Sequence, residues 1–167
     1  KTRNSMSETV NRRMKRVSDS LTEQSHLLFP RDLNANGRLF GGRLLEWIDE
    51  TAGIVAKRHA ECNVVTVAID NMYFKEGATE ADTIYMKGYL TYVGRSSMEV
   101  RIDTYAEKLN GIRKMINRAF FVMVGTDKNQ YPIEVPGLIV EGVTEQIEWE
   151  MAKRRQQLRK ERMKEGF

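Results

Sequence analysis

One helical run, residues 39–59, constrains the fold more than any other feature, because it is apolar over most of its circumference. On a helical wheel at ~100° per residue, four of its charged residues fall within about a 60° sector. These four are Arg43, Glu46, Glu50 and Lys57. Apolar residues cover much of the remaining surface, namely Leu44, Trp47, Ile48, Ile54 and Val55. We therefore expect the helix to be enclosed on most sides, by its own sheet and by a second subunit.

Runs rich in β-forming residues flank this helix. A first strand is predicted over residues 17–29, ahead of the helix. Four more follow it, over residues 64–74, 83–93, 98–106 and 112–124. The connections between them are short and carry turn residues, which favours antiparallel pairing. The order predicts an α+β fold, in which a curled antiparallel sheet of about five strands wraps one long central helix.

The chain carries its positive charge at its two ends. Residues 1–16 have a net charge of +5 and residues 145–165 a net charge of +2, within a total of +4. We therefore divide the chain into a basic N-terminal tail (1–16), a body (17–140) and a charged C-terminal helix (141–167). The body is mildly acidic, so we expect no nucleic-acid groove in it and no nucleic-acid partner.

Composition limits the cellular location and the kinds of bound group that we expect. No run of 18 apolar residues occurs, so we predict no transmembrane helix and no membrane partner. Cys62 is the single cysteine, which excludes an intrachain disulfide and fits a cytoplasmic location. His26 and His59 are too few for a histidine-rich metal site, and we expect no metal. The dipole at the C-terminus of the helix would favour a cation at His59.

Asp49 is the acid of the helix that lies outside its charged sector. It shares a face with small and apolar residues, namely Gly42, Leu45, Ala52, Gly53 and Ala56. Burying an unpaired charge is costly, so such an acid normally has a partner or a function. A packed aspartate bonded to nearby backbone explains the pattern about as well as a catalytic one. The small neighbours favour function slightly, because they leave room for a ligand.

Polar and glycine residues precede Asp49. Gly41 and Gly42 open the helix, and Gly42 lies seven residues before Asp49. The pair serves either as a tight entry turn or as bare backbone N–H groups that bind a developing oxyanion. Asn34 and Asn36 lie in the entry loop, where asparagine is usually a turn residue. An amide at either position would also be able to orient a water molecule.

The stretch LNANGRLFGGRLLEWIDETAGIVAKRH, residues 33–59, resembles the entry loop and central helix of the hotdog-fold acyl-CoA thioesterases of the bacterial short-chain and brain-type group. Its core is NxxGxxxGG followed by a helix that bears an aspartate. Three later stretches resemble that family's strands in the same order: NVVTVAIDNMYF, VGRSSMEVRIDTYAE and RAFFVMVGTD. The resemblance covers roughly residues 17–140. The brain-type pattern has histidine where this chain has Phe40, although the bacterial branch also shows phenylalanine there.

The resemblance implies a hotdog fold, subunits that pair at least as dimers and often as trimers of dimers, and hydrolysis of acyl-CoA to free acid and CoA without a cofactor. It implies that Asp49 is the catalytic carboxylate, acting as general base or as nucleophile. Asn34 matches the catalytic asparagine, contributed from the facing subunit. Gly42, with Gly41, would offer N–H groups to the thioester oxygen. The turn that contacts CoA corresponds to Gly94, Arg95, Ser96 and Ser97.

Other readings remain open from the sequence. A non-catalytic acyl-CoA or nucleotide sensor on the same fold would use the basic tails to dock a partner, but would not need Asp49. A hotdog dehydratase would need a catalytic histidine, and none lies in the entry loop. Nonspecific RNA binding would involve the tails. Trp47, Met72, Tyr73 and Phe74 are candidates for an acyl tunnel at a subunit interface, but we expect core packing for each.

Overall fold

The computed structural model describes residues 11–167 and has an α+β fold with two helices. The strands are β1 (Met14–Arg16), β2 (Thr22–Leu27), β3 (Asn63–Ile69), β4 (Thr83–Val93), β5 (Ser97–Glu107), β6 (Arg113–Thr126) and β7 (Gly137–Ile139). The helices are α1 (Gly41–Ala60) and α2 (Gly142–Glu165). Five strands form one antiparallel sheet in the order β2-β4-β5-β6-β3. The predicted sheet, its central helix and its C-terminal helix are confirmed.

Helix α1 packs along the sheet and supplies much of the core. Ile48 and Val55 of α1 are fully buried, together with Ile84, Met86 and Phe121 of the sheet. Burying a side chain of this size stabilises the fold by ~1.5–3 kcal/mol. The predicted charged sector of α1 is partly or fully exposed. The apolar spacing of α1 therefore sets which side of the helix meets the sheet, as predicted.

Two strands are shorter than predicted. Within the first predicted strand, residues 17–19 form a 3-10 turn instead. The Asp19 carboxylate accepts a hydrogen bond from the Arg16 N–H at 2.8 Å and so closes this turn. The second, β3, ends at Ile69, and residues 70–82 continue as an irregular segment. There the carbonyl of Tyr73 accepts a hydrogen bond from the Asn117 side chain at 2.9 Å. At both places, side-chain hydrogen bonds help to hold backbone that lies outside the strands.

Part of the predicted basic tail is attached to the body. Residues 1–10 lie outside the described residues, but β1 pairs in parallel with β7. The Arg12 guanidinium donates to the carbonyl oxygens of Val135 and Gly94, at 2.8 and 2.6 Å. Lys15 donates to the carbonyl of His59 at 3.0 Å, in the last turn of α1. These cations satisfy backbone carbonyls, which explains why residues 12–16 do not extend freely into solvent.

Ion pairs with nearly buried carboxylates attach helix α2 to the body of the protein. Glu99 on β5 is only 2% exposed, and its carboxylate accepts hydrogen bonds from Arg155 at 2.7 Å and from Arg159 at 3.3 Å. Asp70 accepts from Arg159 at 2.9 Å and from Arg162 at 2.8 Å. Within residues 11–167, neither helix combines the length and apolar character needed to cross a membrane.

Candidate active site

Asp49 lies on the open side of α1, which differs from the buried position that the helical wheel predicts. The sheet covers Ala52 and Ala56, but Asp49 and Gly42 at the same helix face are exposed in the single subunit. The wheel identifies a face with little charge, but it cannot tell which part of that face the chain's own sheet covers. The open part of the face is therefore available to a second subunit or a ligand.

A hydrogen bond from Thr66 orients the Asp49 carboxylate. Thr66 lies on β3 at the edge of the sheet, and its hydroxyl donates to Oδ1 of Asp49 at 2.7 Å. A cleft beside this pair is lined in part by Gly53, Lys57 and Met123. The sequence alone does not predict a role for Thr66, because threonine is a common strand former and its hydroxyl carries no distinct signal. Oδ2 of Asp49 has no hydrogen bond among the described residues.

Asn34 is held by a tight loop that precedes α1. Its Oδ1 accepts hydrogen bonds from the N–H groups of Asn36 at 2.9 Å and Arg38 at 3.2 Å. Gly37 closes the loop with a φ of +71°, which favours glycine. These contacts occupy the amide oxygen of Asn34 and leave its Nδ2 without a partner among the described residues. Asn34 is exposed and keeps a side-chain donor available, while the N–H of Asn36 is used within the turn.

The first turn of α1 presents unpaired backbone N–H groups. Phe40, the residue immediately before the helix, makes no capping hydrogen bond with its side chain. The first helical hydrogen bond runs from the Leu44 N–H to the Phe40 carbonyl. The N–H groups of Gly41, Gly42 and Arg43 therefore have no acceptor within the helix. A Cβ added at Gly42 would lie 2.6 Å from the Phe40 ring. Glycine thus lets this aromatic ring lie against the helix backbone.

The predicted catalytic residues of one chain do not converge on one point. Gly42 and Asp49 lie on the same helix, and seven residues correspond to ~10 Å along the axis. No hydrogen bond among residues 11–167 joins Asn34 to Asp49. One thioester carbonyl therefore cannot contact the N–H of Gly42 and the carboxylate of Asp49 in the same subunit.

The predicted CoA-binding turn joins β4 to β5. The Gly94 N–H donates to the Ser97 carbonyl at 2.8 Å, and the carbonyls of Arg95 and Ser96 accept from Val135 and Gly125 at 2.9 Å each. These bonds fix the turn at the end of the sheet. The Arg95 side chain is exposed and forms no ion pair within the described residues. The turn therefore presents a guanidinium and the two serines, although none of the contacts described joins it to Asp49.

Neither histidine is placed for catalysis. His59 is fully buried, and its Nε2 donates to the carbonyl of Pro136 at 2.6 Å. Burial lowers the pKa of His59, while the hydrogen bond to Pro136 opposes this shift and the nearby Lys15 adds to it. His26 stacks on Trp47 with ring centroids 4.2 Å apart. No group of three histidine, cysteine, aspartate or glutamate side chains within residues 11–167 is arranged to hold a metal ion.

Comparisons with known proteins identify the family. The model of the thioesterase superfamily matches residues 36–112. The Bacillus subtilis protein YkhA, named an uncharacterized acyl-CoA thioester hydrolase, is 35% identical over 124 residues, which are 74% of this chain and 72% of that protein. This chain belongs to the hotdog-fold acyl-CoA thioesterase family. The chain also matches the rat cytosolic acyl coenzyme A thioester hydrolase, with 32% identity over 142 residues, but it spans only 37% of that protein.

Solved structures support the same family assignment. An apo-hexameric acyl-CoA thioesterase superposes with a TM-score of 0.87 and 36% identity, over 90% of this chain and 97% of the other. An acyl-CoA hydrolase from Staphylococcus aureus, solved with butyryl coenzyme A and coenzyme A, has a TM-score of 0.84 and 31% identity over 91% of this chain and 93% of the other. Alanine variants of one asparagine, one aspartate and one threonine of that enzyme have also been solved. Those three positions have the spacing of Asn34, Asp49 and Thr66 here.

Proposed function

We propose that the protein hydrolyses acyl-CoA to a free acid and CoA, and that Asp49 is its catalytic carboxylate. The observation that carries the proposal is the hydrogen bond between Thr66 and Asp49 on an open face of α1. It is supported by the matching spacing of the three residues replaced in the Staphylococcus aureus enzyme, and by the names of the relatives. Free acid and CoA require only water as co-substrate.

Thr66 prepares Asp49 for this reaction by engaging one carboxylate oxygen. With Oδ1 held by the hydroxyl, Oδ2 faces the reacting group. As general base, it takes a proton from water as that water attacks the thioester carbonyl. When the tetrahedral intermediate collapses, the C–S bond breaks and the protonated Asp49 returns the proton to the leaving sulfur of CoA. As nucleophile, Oδ2 attacks the carbonyl directly, CoA leaves, and water cleaves the resulting mixed anhydride. Both routes consume one water and use the same carboxylate orientation.

The N-terminus of α1 supplies the donors for the developing oxyanion. Gly41 and Gly42 present N–H groups that no helical carbonyl accepts, and one such donor typically contributes ~10²–10³ in rate. Asn34 adds a side-chain donor, because its oxygen is already occupied by the loop. A donor at this position suits the carbonyl oxygen of the thioester or the attacking water. This assigns Asn34 to hydrogen-bond donation.

The catalytic groups come from two subunits in this proposal. The distance between Gly42 and Asp49 along α1 is too long for one thioester, so the donors of one subunit act with the partner subunit's Asp49. The edge strand β3 supports such pairing, because no strand within residues 11–167 pairs with its outer side and Val65, Val67 and Ile69 are exposed. Two sheets joined at this edge would cover the open face of α1. A homodimer is the smallest complete assembly, and the hexameric relative supports a trimer of dimers.

The turn between β4 and β5 holds the CoA part of the substrate in this scheme. Arg95 is exposed and its guanidinium matches the geometry of phosphate, while Ser96 and Ser97 add hydroxyl groups. The backbone of the turn is fixed by hydrogen bonds from Gly125 and Val135. A turn with a hydrogen-bonded backbone and an exposed guanidinium suits the binding of a phosphate group.

Thiol release from a panel of acyl-CoAs, from acetyl to palmitoyl, tests the proposal. Wild type is compared with Asp49→Asn and with Glu50→Gln, which alters the neighbouring exposed acid as a matched control. We expect Asp49→Asn to lose ~10²–10⁴ in kcat, and Glu50→Gln to retain the wild-type rate. Equal loss or equal retention in the two variants would contradict the role of Asp49. Tight acyl-CoA binding without turnover by the wild type would favour the sensor.

A further inference from the structure

Two aromatic rings lie against the glycine pair at the start of α1. The Phe40 ring lies beside Gly42, and the Phe74 ring lies 3.6 Å from the position that a Cβ at Gly41 would take. Phe74 is 53% exposed in the subunit, so more than half of its apolar surface has no partner within residues 11–167. Phe74 was expected in the core, and this expectation is wrong within the single subunit, whereas it is confirmed for Trp47.

The irregular segment that carries Phe74 is held at three points. At its start, the Asp70 N–H donates to the carbonyl of Phe120 at 3.0 Å, and the Asp70 carboxylate is bound by two arginines of α2. In its middle, the buried side chain of Asn117 donates to the Tyr73 carbonyl. At its end, the Ala78 carbonyl accepts from the Leu39 N–H at 2.8 Å. The backbone on both sides of Phe74 is therefore fixed while its ring remains exposed.

We propose that Phe74 contacts the acyl group of the substrate and sets the preference of the enzyme for longer acyl chains. The inference rests on the proposed function, in which the N–H groups of Gly41 and Gly42 hold the thioester oxygen. The first carbons of the acyl chain lie within a few bonds of that oxygen, and so beside the ring. An aromatic face suits methylene groups, because burying both surfaces removes apolar area from water.

The CoA side of the thioester is less suited than the acyl side to contact the ring of Phe74. The part of CoA next to the sulfur carries amide groups, which need hydrogen-bond partners when they leave water. The ring of Phe74 offers none. The neighbouring side chain of Tyr73 lines separate clefts with residues of β6, such as Asn117 and Arg118, and with Arg162 of α2. Phe74 thus lies at the surface near the glycine pair, whereas Tyr73 lies at a different surface, which faces β6 and α2.

The test measures kcat/KM for straight-chain acyl-CoAs, from acetyl to dodecanoyl, in wild type, Phe74→Ala and Phe74→Leu. We expect the ratio of kcat/KM for the best long-chain substrate to that for acetyl-CoA to fall about tenfold in Phe74→Ala. Phe74→Leu should keep most of the ratio, because it keeps apolar surface. Tyr73→Ala is the matched control, and it should leave the ratio unchanged.

Three outcomes would overturn the assignment. An unchanged ratio in Phe74→Ala would show that the ring does not meet the acyl chain. A higher ratio in Phe74→Ala than in wild type would mean that the ring blocks longer acyl chains. Weaker inhibition by free CoA in Phe74→Ala, with the ratio unchanged, would place the ring against the CoA arm. Size-exclusion chromatography of each variant shows whether the assembly is intact. Failure of the wild type to hydrolyse any acyl-CoA would instead contradict the proposed function itself.

Discussion

The Thr66 hydroxyl donates a 2.7 Å hydrogen bond to Oδ1 of Asp49 and thereby joins edge strand β3 to helix α1. The bond crosses between two elements that are connected by only a short turn, Glu61 and Cys62. It fixes one carboxylate oxygen and leaves the other for chemistry. Thr66 is therefore a positioning residue in the proposed reaction, acting through Asp49.

Replacing Thr66 by valine should lower kcat while preserving the shape of the side chain. A hydrogen bond to a charged group contributes ~1.5–3 kcal/mol, which corresponds to about a tenfold to hundredfold loss of rate. Steady-state thiol release with acetyl-CoA and butyryl-CoA measures the change. Thr66→Ser keeps the hydroxyl and should recover most of the rate. If valine and serine behave alike, the hydrogen bond does not assist Asp49.

Mixing two inactive variants tests whether each site draws on two subunits. Asn34→Ala and Asp49→Ala should each be inactive alone, but a mixed dimer retains one site with both residues intact. Random exchange of subunits should restore about a quarter of the wild-type rate per subunit, because half the dimers are mixed and each has one working site. Activity is measured after the two variants are unfolded and refolded together. Activity no higher than the two variants alone would mean that both residues act within one chain.

Arg155→Ala should destabilise the fold much more than Lys153→Ala, although both residues lie on α2. Arg155 pairs with Glu99, whose side chain is 2% exposed, while Lys153 pairs with the exposed Glu150. Removing one partner of a buried pair costs ~3–5 kcal/mol, and we expect the lower end because Arg159 and Thr91 still bind Glu99. The exposed pair is worth less than ~1 kcal/mol.

Thermal unfolding at one fixed protein concentration compares the two α2 variants, because association shifts the midpoint. A large fall in Tm for Arg155→Ala and a negligible one for Lys153→Ala is the expected result. Similar shifts in both variants would mean that the ion pairs with Glu99 do not attach α2 to the sheet.

Stability should fall as the pH drops below about 6.5, in part because of His59. Burial lowers the pKa of His59 in the folded state, so the unfolded chain binds a proton that the folded chain does not. The stabilisation is therefore complete above the unfolded pKa and is lost as pH falls toward the folded one. Urea midpoints between pH 5 and 8 should show a shallower dependence in His59→Gln. Part of the slope should remain, because burial also lowers the pKa of His26.

Local patterns in the sequence predict the helix and the strands in which apolar residues recur at a regular spacing. The run 83–93 coincides with β4, and the predicted helix differs from α1 by two residues at its start and one at its end. The sequence did not predict β1, because its partner β7 lies more than 120 residues along the chain. The ion pairs of Glu99 with Arg155 and Arg159 of α2 also join distant positions, 56 and 60 residues apart. Pairing over such separations depends on the complete fold, which no local pattern contains.

The resemblance to the thioesterase family predicts more of the candidate site than the periodicity of the sequence does. The resemblance predicts Asn34, Gly42 and Asp49 as site residues, and the structure places each on an exposed surface of the subunit. The wheel predicted a buried Asp49, because a periodic pattern identifies a face without showing what covers it. Thr66 was missed, since a threonine in a strand needs no function to explain it. Their roles in catalysis remain predictions.

The separation of Gly42 and Asp49 along a single helix has a consequence for the behaviour of the protein on dilution. In the proposed arrangement, a lone subunit holds half of each of two reaction centres and completes neither. Turnover per chain then follows the mass-action law of association, falling once subunits become scarcer than their dissociation constant. Newly synthesised chains would stay inert toward thioesters until they meet. The helix thereby makes assembly itself the step that turns hydrolysis on.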